Sequence, residues 1–172
     1  MDSRVFFVEF RIWDLALAPI LRHFRVERSE KSDVSRNLRF AILEHDHPFL
    51  HWDLMLELDG ILCTWRLQLR PDQPGENPAQ QLKDHRTLYL DYEGPLSGDR
   101  GSVFRWDGGR LQWLARKDDW VTVAIEGGRL SGYLRLSRRS DASAVDWDWS
   151  LRFDPQPISD WSEVPAPDLP HG

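Results

Sequence analysis

The sequence is poor in several features, and each absence excludes a class of protein. Its 172 residues include one cysteine, Cys63, which excludes an internal disulfide framework and a cysteine-rich zinc site and predicts a reducing, cytoplasmic environment. No apolar run approaches the roughly 18 residues of a membrane-spanning helix, so no membrane partner is expected. No stretch concentrates Lys and Arg in a long basic stripe, although a small anion site needs only local positive charge. Apolar residues, in contrast, are abundant. Hydrophobic residues make up 41% of the chain and nine residues are tryptophan, which is enough to build a core.

The negative charge lies mainly at the C-terminal end. The formal net charge is −6, and residues 154–172 hold four acids and neither Lys nor Arg. Five prolines in the same stretch remove backbone donors and oppose regular structure. We therefore predict three parts: a partly helical N-terminal extension over residues 1–36, with the helix at Trp13–His23, a folded domain over 37–153, and a Pro-rich acidic tail over 154–172.

From Arg39 onward, short runs of alternating apolar and polar residues are separated by turn signals. Asp59-Gly60 is typical of a hairpin turn, and Gly108-Gly109 predicts another. Residues 70–81 predict a loop, and Thr87–Gly94 a strand. The pattern as a whole predicts an all-β fold, an antiparallel β-barrel of about eight strands.

One predicted strand, residues 51–58, separates completely into two faces. Its apolar residues point one way, and the other face carries His51, Asp53, Met55 and Glu57. His51 and Asp53 lie about 7 Å apart along such a strand. The preceding strand ends at His45, and a turn at Pro48 returns it to the same point. Two imidazoles and a carboxylate with open positions suit a catalytic divalent metal such as Mn, Fe or Zn.

The simpler interpretation of these histidines is that they are ordinary surface residues, because an H-x-D pair is common without a metal. The combination of His45, His51 and Asp53 on one face is what favours a site. His47 is the weaker ligand candidate, since it falls inside the turn.

A second polar group begins at His85. If the strand is regular, His85 and Tyr89 share a face, and Tyr89 would hold the imidazole. A histidine that binds no metal is free to donate to a phosphoryl oxygen or a leaving group. The alternative is an ordinary strand end followed by a turn at Gly94-Pro95.

Together these blocks resemble a known family. The pattern H-D-x-x-x-L-H-x-D-x-x-L-E-L-D-G-x-L-x-x-W from His45 to Trp65, followed by D-H-x-x-x-Y-x-D-Y-E-G-P from Asp84 to Pro95, is similar to the 3′-phosphoesterase domain of bacterial DNA ligase D. The resemblance covers about residues 39–153 and implies a small β-barrel that trims the 3′ ends of DNA or DNA/RNA primers. Such a domain would remove a terminal ribonucleoside and then the 3′-phosphate in non-homologous end joining.

The resemblance also implies roles by position. His45, His51 and Asp53 would bind the metal, with Mn²⁺ as the first candidate and Zn²⁺ as an alternative. His85 would contact the scissile phosphate with Tyr89 supporting it, and Glu57 falls on an acidic position of the family that we group with the catalytic residues.

The chain departs from the family pattern at four positions that grip phosphate or lie near it. These positions hold Leu43, Met55, Leu69 and Asn77, where the family has Gln, Arg, Lys and Arg. Four arginines elsewhere are candidate substitutes: Arg66, Arg70, Arg86 and Arg100. Of these we predict Arg70 and Arg86 as substrate-binding residues.

Three functions follow as hypotheses. The first is a metal-dependent phosphoesterase acting on nucleic-acid 3′ ends, weakened or altered by these replacements. The second is a non-catalytic metal-binding module that recognises nucleic-acid ends or end-joining repair proteins. The third, a 2-His-1-carboxylate oxygenase, also fits the triad, but the second block does not favour it.

Overall fold

The computed structural model describes residues 38–140 and 146–156, and most of these residues lie in strands. The predicted helix at Trp13–His23 and most of the Pro-rich tail lie outside the described residues. The strands are β1 (Arg39–His45), β2 (His51–Leu58), β3 (Ile61–Leu67), β4 (Glu76–Gln81), β5 (His85–Arg86), β6 (Gly94–Pro95), β7 (Ser102–Arg116), β8 (Trp120–Gly127), β9 (Ser131–Arg138) and β10 (Trp149–Pro155). A 3₁₀ helix spans Thr87–Leu90.

Eight of these strands form a closed antiparallel barrel. Their order is β1-β2-β3-β4-β10-β9-β8-β7, and β7 also pairs with β1, which joins the two ends of the sheet. The short strands β5 and β6 add to β3 and β7 outside this circuit. Because β7 pairs with β1, the eight strands close into a barrel without a free edge strand among them. The predicted all-β barrel of about eight strands is therefore confirmed.

The predicted turn at Gly108-Gly109 is wrong, because β7 continues through both glycines. The strand pairs first with β1 and then with β8, and it must bend where it changes partner. A Cβ at Gly109 would collide with the backbone carbonyl of Glu126. The glycines therefore permit close approach of the strands at a barrel corner, which is the other common use of glycine in a sheet.

Two further local predictions are corrected. The loop predicted over 70–81 contains β4, whose pairing with β3 and β10 buries Ala79 despite the weak strand preference of its sequence. The strand predicted over Thr87–Gly94 is instead the 3₁₀ helix and a turn. This conformation turns Leu90 into a buried position against the outside of the barrel.

Both faces of β1 and β2 are buried, but in different surroundings. The inner faces contribute Ile42 and Leu54 to the large barrel core. The outer faces contribute Leu43 and Met55 to a smaller cluster, which Leu90 and its neighbours cover. We call this second group the outer cluster; its buried members are Ala41, Leu43, Met55, Leu62, Leu90 and Val103.

Within residues 38–140 and 146–156, no helix is long and apolar enough to cross a membrane.

Candidate metal centre

Two histidines face each other where β1 and β2 meet. His45 is the last residue of β1 and His51 the first of β2, and the register pairs them directly. Their ring centroids are 4.6 Å apart. The turn between them contains the cis peptide bond His47–Pro48. The short turn thus places two imidazoles side by side at one end of the outer cluster.

Asp53 completes the group from the same face of β2. Its Oδ2 atom lies 3.7 Å from His45 Nδ1 and 3.6 Å from His51 Nε2. One ligand atom from each of the three residues can be chosen so that all lie within 4.8 Å of one another. The three residues are buried, His51 completely. The separations are too long for hydrogen bonds and suit atoms arranged around a shared cation.

Backbone carbonyls fix the tautomer of both imidazoles in their neutral form. His45 Nε2 donates a hydrogen bond to the carbonyl of Arg100, and His51 Nδ1 donates one to the carbonyl of Phe49, each at 2.7 Å. The opposite nitrogens, His45 Nδ1 and His51 Nε2, are buried without a hydrogen-bond partner, as is Asp53 Oδ1. A ring held by one N–H···O=C bond, with its other nitrogen free, is the usual arrangement of a metal-binding histidine. The residues present therefore fit a divalent metal.

The close packing of these groups shifts their pKa values. The Asp53 carboxylate raises the pKa of His45 above its usual 6.5, although burial of the ring opposes this effect. Burial would raise the pKa of Asp53, but the two imidazoles and Arg66 more than offset it and hold that pKa well below its usual range. Asp53 is consequently an anion at neutral pH, as a metal ligand must be.

A cleft of about 190 Å³ opens beside the three residues. The residues that line this cleft include His45, Asp53, Met55, Arg66, His85 and Tyr89.

His85 reaches this cleft from β5. Its Nδ1 atom donates to the carbonyl of Lys83 at 2.9 Å, and its ring meets that of Tyr89 edge to face at 5.5 Å between centroids. The structure thus brings His85 and Tyr89 to the metal-ligand candidates, although a 3₁₀ helix and not a regular strand positions Tyr89.

Met55 lines the cleft but is only 2% exposed. Its side chain packs in the outer cluster with Leu43 and Leu90. Two of the departures from the family pattern, Leu43 and Met55, are therefore neighbours in one apolar group. The outer face of β2 changes from polar to apolar within two residues of Asp53.

Three residues predicted for the site are absent from the lining of the cleft. Arg70 is exposed and pairs with Asp72 at 2.6 Å, and Arg86 is exposed on β5. Glu57 lies near the far end of β2, where its Oε2 accepts a hydrogen bond from the backbone nitrogen of Arg39 at 2.9 Å.

The arginines that do line the cleft are Arg66 and Arg100. Arg66 lies on β3 directly opposite Asp53. A signal for this placement was present, because the two-residue turn at Asp59-Gly60 fixes the hairpin register and so pairs residue 53 with residue 66. No comparable signal exists for the carbonyl oxygens that orient the imidazoles.

Comparison with known proteins shows the family of this chain. The sequence model of the DNA ligase D 3′-phosphoesterase domain family matches residues 43–138, more than half of the chain. The chain belongs to the DNA ligase D 3′-phosphoesterase domain family. The matched range contains the three metal-ligand candidates and the whole cleft.

Relatives of this family member include two bacterial proteins. The multifunctional non-homologous end joining protein LigD of Pseudomonas aeruginosa is 32% identical over 123 residues, which cover 64% of this chain and 14% of the relative. The multifunctional non-homologous end joining DNA repair protein LigD of Mycobacterium tuberculosis is 36% identical over 108 residues, covering 58% and 14%. The chain thus spans about one seventh of the length of these relatives.

Proposed function

We propose that this chain is a divalent-metal-dependent phosphoesterase that processes the 3′ ends of DNA or DNA/RNA strands. The observation that carries the proposal is the convergence of two buried, unpartnered imidazole nitrogens, from His45 and His51, on the buried carboxylate of Asp53 beside an open cleft. Unpaired polar atoms are costly to bury, and a shared cation would satisfy all of them together. Family membership supplies the class of substrate.

As the metal we propose Mn²⁺, which the family resemblance implies, with Zn²⁺ as the alternative. Two neutral imidazoles and one carboxylate suit transition metals of intermediate softness, and three protein ligands leave positions for substrate. When bound, the metal acts as a Lewis acid on a phosphoester oxygen. In the neutral rings, the carbonyls of Arg100 and Phe49 hold the proton on His45 Nε2 and His51 Nδ1, which leaves the opposite nitrogens as ligands.

His85 would act on the same phosphoester from the other side of the cleft. Because its Nδ1 proton is committed to the Lys83 carbonyl, Nε2 is the nitrogen that can transfer a proton to or from an oxygen of the substrate. The edge of Tyr89 restrains the ring and so orients Nε2. His85 is thus the residue we assign to proton transfer, and Tyr89 is a positioning residue.

The proposed setting is end-joining repair. The relatives are named for non-homologous end joining, and a strand end must be trimmed before it can be joined. Partners of this chain would be DNA ends and the repair proteins that hold them. The barrel domain, residues 37–153, would carry the activity.

The test is Mn²⁺-dependent release of inorganic phosphate from a 3′-phosphorylated primer, measured beside Mn²⁺ affinity. Asp53→Asn should weaken both by at least about 100-fold, since even residues that only orient a ligand contribute 10- to 100-fold. The matched control is Asp118→Asn, which makes the same change at an exposed turn and should alter neither.

The outcomes separate the hypotheses. Tight Mn²⁺ binding without phosphate release would assign the chain as the non-catalytic metal-binding module. Phosphate release that is unchanged in Asp53→Asn would rule out the proposed metal site.

A further inference from the structure

Arg66 enters the cleft from β3, next to the metal-ligand candidates. The register of the β2–β3 hairpin pairs it with Asp53, and its Nε lies 3.7 Å from Asp53 Oδ1. The side chain is 24% exposed, so it is largely shielded while one end still reaches the open cleft. The same carboxylate therefore has one oxygen facing the imidazoles and the other facing a guanidinium.

The guanidinium of Arg66 has unused hydrogen-bonding capacity. Its Nε is buried without a partner, and among the described residues its side chain makes no hydrogen bond. The contact with Asp53 is an ion pair at a distance beyond hydrogen bonding. A guanidinium offers five donors in a planar fork, and the buried Nε–H is costly to leave without an acceptor.

The other described arginines near the cleft are already engaged or lie outside it. Arg100 donates through Nε to the carbonyl of Ser97 at 2.7 Å. Arg70 pairs with Asp72, and Arg86 is exposed outside the lining. Of the two arginines in the lining, Arg66 is thus the one whose side chain donates no hydrogen bond within the described residues.

Charge indicates the class of ligand. A divalent cation, the Asp53 carboxylate and the Arg66 guanidinium would sum to two positive charges, with the imidazoles neutral. A phosphate monoester carries close to two negative charges above its second pKa of about 6, whereas a phosphodiester carries one. The site with Arg66 therefore matches a terminal phosphate group better than an internal one.

We propose that Arg66 binds the terminal phosphate monoester of the substrate through its free guanidinium nitrogens. The assignment rests on the proposed function for the identity of the substrate. It places the anion-binding group on β3, while Met55, which lines the same cleft from β2, offers neither a donor nor a charge. Arg66 would then determine preference for 3′-phosphate ends over internal phosphodiesters.

The experiment measures binding and not turnover. Calorimetry gives the affinity of the Mn²⁺-loaded protein for inorganic phosphate and, separately, the affinity of the protein for Mn²⁺. Arg66→Gln should weaken phosphate binding about 10- to 100-fold, as expected for the loss of charge-assisted hydrogen bonds. Mn²⁺ affinity should stay the same or tighten, because a cation next to Asp53 has been removed.

Two further variants complete the test. Arg66→Lys keeps the charge but loses the planar fork, so its phosphate affinity should fall between those of the wild type and Arg66→Gln. It also keeps the test valid if the glutamine variant folds poorly. Arg135→Gln removes an equal charge from an exposed position on β9, three strands from β3 in the barrel, and should match the wild type.

Several results would overturn the assignment. Phosphate affinity that is unchanged in Arg66→Gln would do so, and so would loaded wild type that binds no phosphate. A parallel loss of Mn²⁺ affinity would mean that Arg66 only positions Asp53. If phosphate binding depends on Arg66 while a 3′-phosphorylated primer is not hydrolysed, the proposed function fails and the Arg66 site stands.

Discussion

Buried polar atoms without hydrogen-bond partners occur both inside the barrel and on its outer face, but their arrangement differs between the two regions. In the interior, the indole nitrogens of Trp52, Trp65 and Trp149 lack hydrogen bonds. They belong to large apolar rings within one core; Trp65 and Trp149, for example, pack edge to face at 5.8 Å between centroids. On the outside, the unpartnered nitrogens His45 Nδ1 and His51 Nε2 lie 3.7 Å and 3.6 Å from the same oxygen of Asp53.

The difference shows what distinguishes a candidate site from imperfect packing. An unpartnered indole N–H reduces the stability that its ring contributes, yet the ring's buried area compensates. Imidazole and carboxylate groups bring less apolar area, so no such compensation is available to His51 or Asp53. Convergence of the unpartnered atoms, and not their burial alone, therefore indicates a ligand.

The largest effect should come from the interior. Trp65→Ala should lower the free energy of unfolding by about 3–5 kcal/mol, because it leaves a large cavity in the core. Protein that remains folded should bind Mn²⁺ like the wild type, since the metal-ligand candidates lie on the opposite face. Denaturant unfolding and Mn²⁺ titration measure the two quantities.

A suitable control is Trp120→Ala, at a partly exposed ring that packs near Lys117, where the stability loss should be much smaller. If Trp65→Ala abolished Mn²⁺ binding in a folded protein, the two sides of the wall would not be independent.

How far the sequence predicts this molecule depends on the range of the interactions involved. Strand alternation and the turn at Asp59-Gly60 depend only on residues close together in the sequence. The all-β class and the shared face of His51 and Asp53 could therefore be predicted from the sequence alone. The meeting of His45 with that face needed only a short turn. In each case the pattern and the structure agree because few residues separate the groups.

The features that the sequence did not predict depend on contacts between residues far apart in the chain. The outer face of β2 was expected to be polar along its length, yet Met55 is covered by the segment that carries Leu90, which lies 35 residues further along the chain. Which arginine faces Asp53 depends on the cross-strand register of β2 and β3, whereas the arginines predicted to bind substrate are Arg70 and Arg86. The backbone carbonyls that orient the imidazoles have no side-chain signature at all.

An intermediate effect should appear in the pH dependence of the outer site. Asp53 raises the pKa of His45 above 6.5, so a proton competes with a metal at His45 up to a higher pH than at an isolated imidazole. Each pH unit below that pKa costs about 1.4 kcal/mol, or tenfold in affinity. The increase in Tm produced by a fixed excess of Mn²⁺ should therefore grow between pH 6 and pH 8.

The metal-free protein should behave in the opposite sense. A raised pKa of His45 stabilises the fold below 6.5, and this contribution is lost as pH rises through the folded-state value. The lowered pKa of Asp53 stabilises the fold above 3.8 and is lost only as pH falls below that range. The two melting curves should diverge toward pH 8, and an Mn²⁺ effect that is flat from pH 6 to pH 8 would contradict His45 as a ligand.

The smallest effect should come from the far end of the same outer face. Glu57→Gln should lower the free energy of unfolding by less than about 1 kcal/mol, because the amide oxygen can still accept the hydrogen bond from Arg39. Mn²⁺ affinity and phosphate release should not change, since Glu57 lies four residues from Asp53, about 13 Å along an extended strand. Glu76→Gln at the exposed start of β4 is the matched control.

Glu57→Gln tests whether a residue contributes to phosphate release because it lines the cleft or because it shares a strand face with the metal-ligand candidates. The sequence pattern groups Glu57 with His51 and Asp53, but the buried side chain of Met55 lies between them and the contact with Arg39 engages the carboxylate elsewhere. A tenfold loss of phosphate release in Glu57→Gln at unchanged stability would restore its predicted catalytic role. It would also show that the outer face acts as one unit along the whole length of β2.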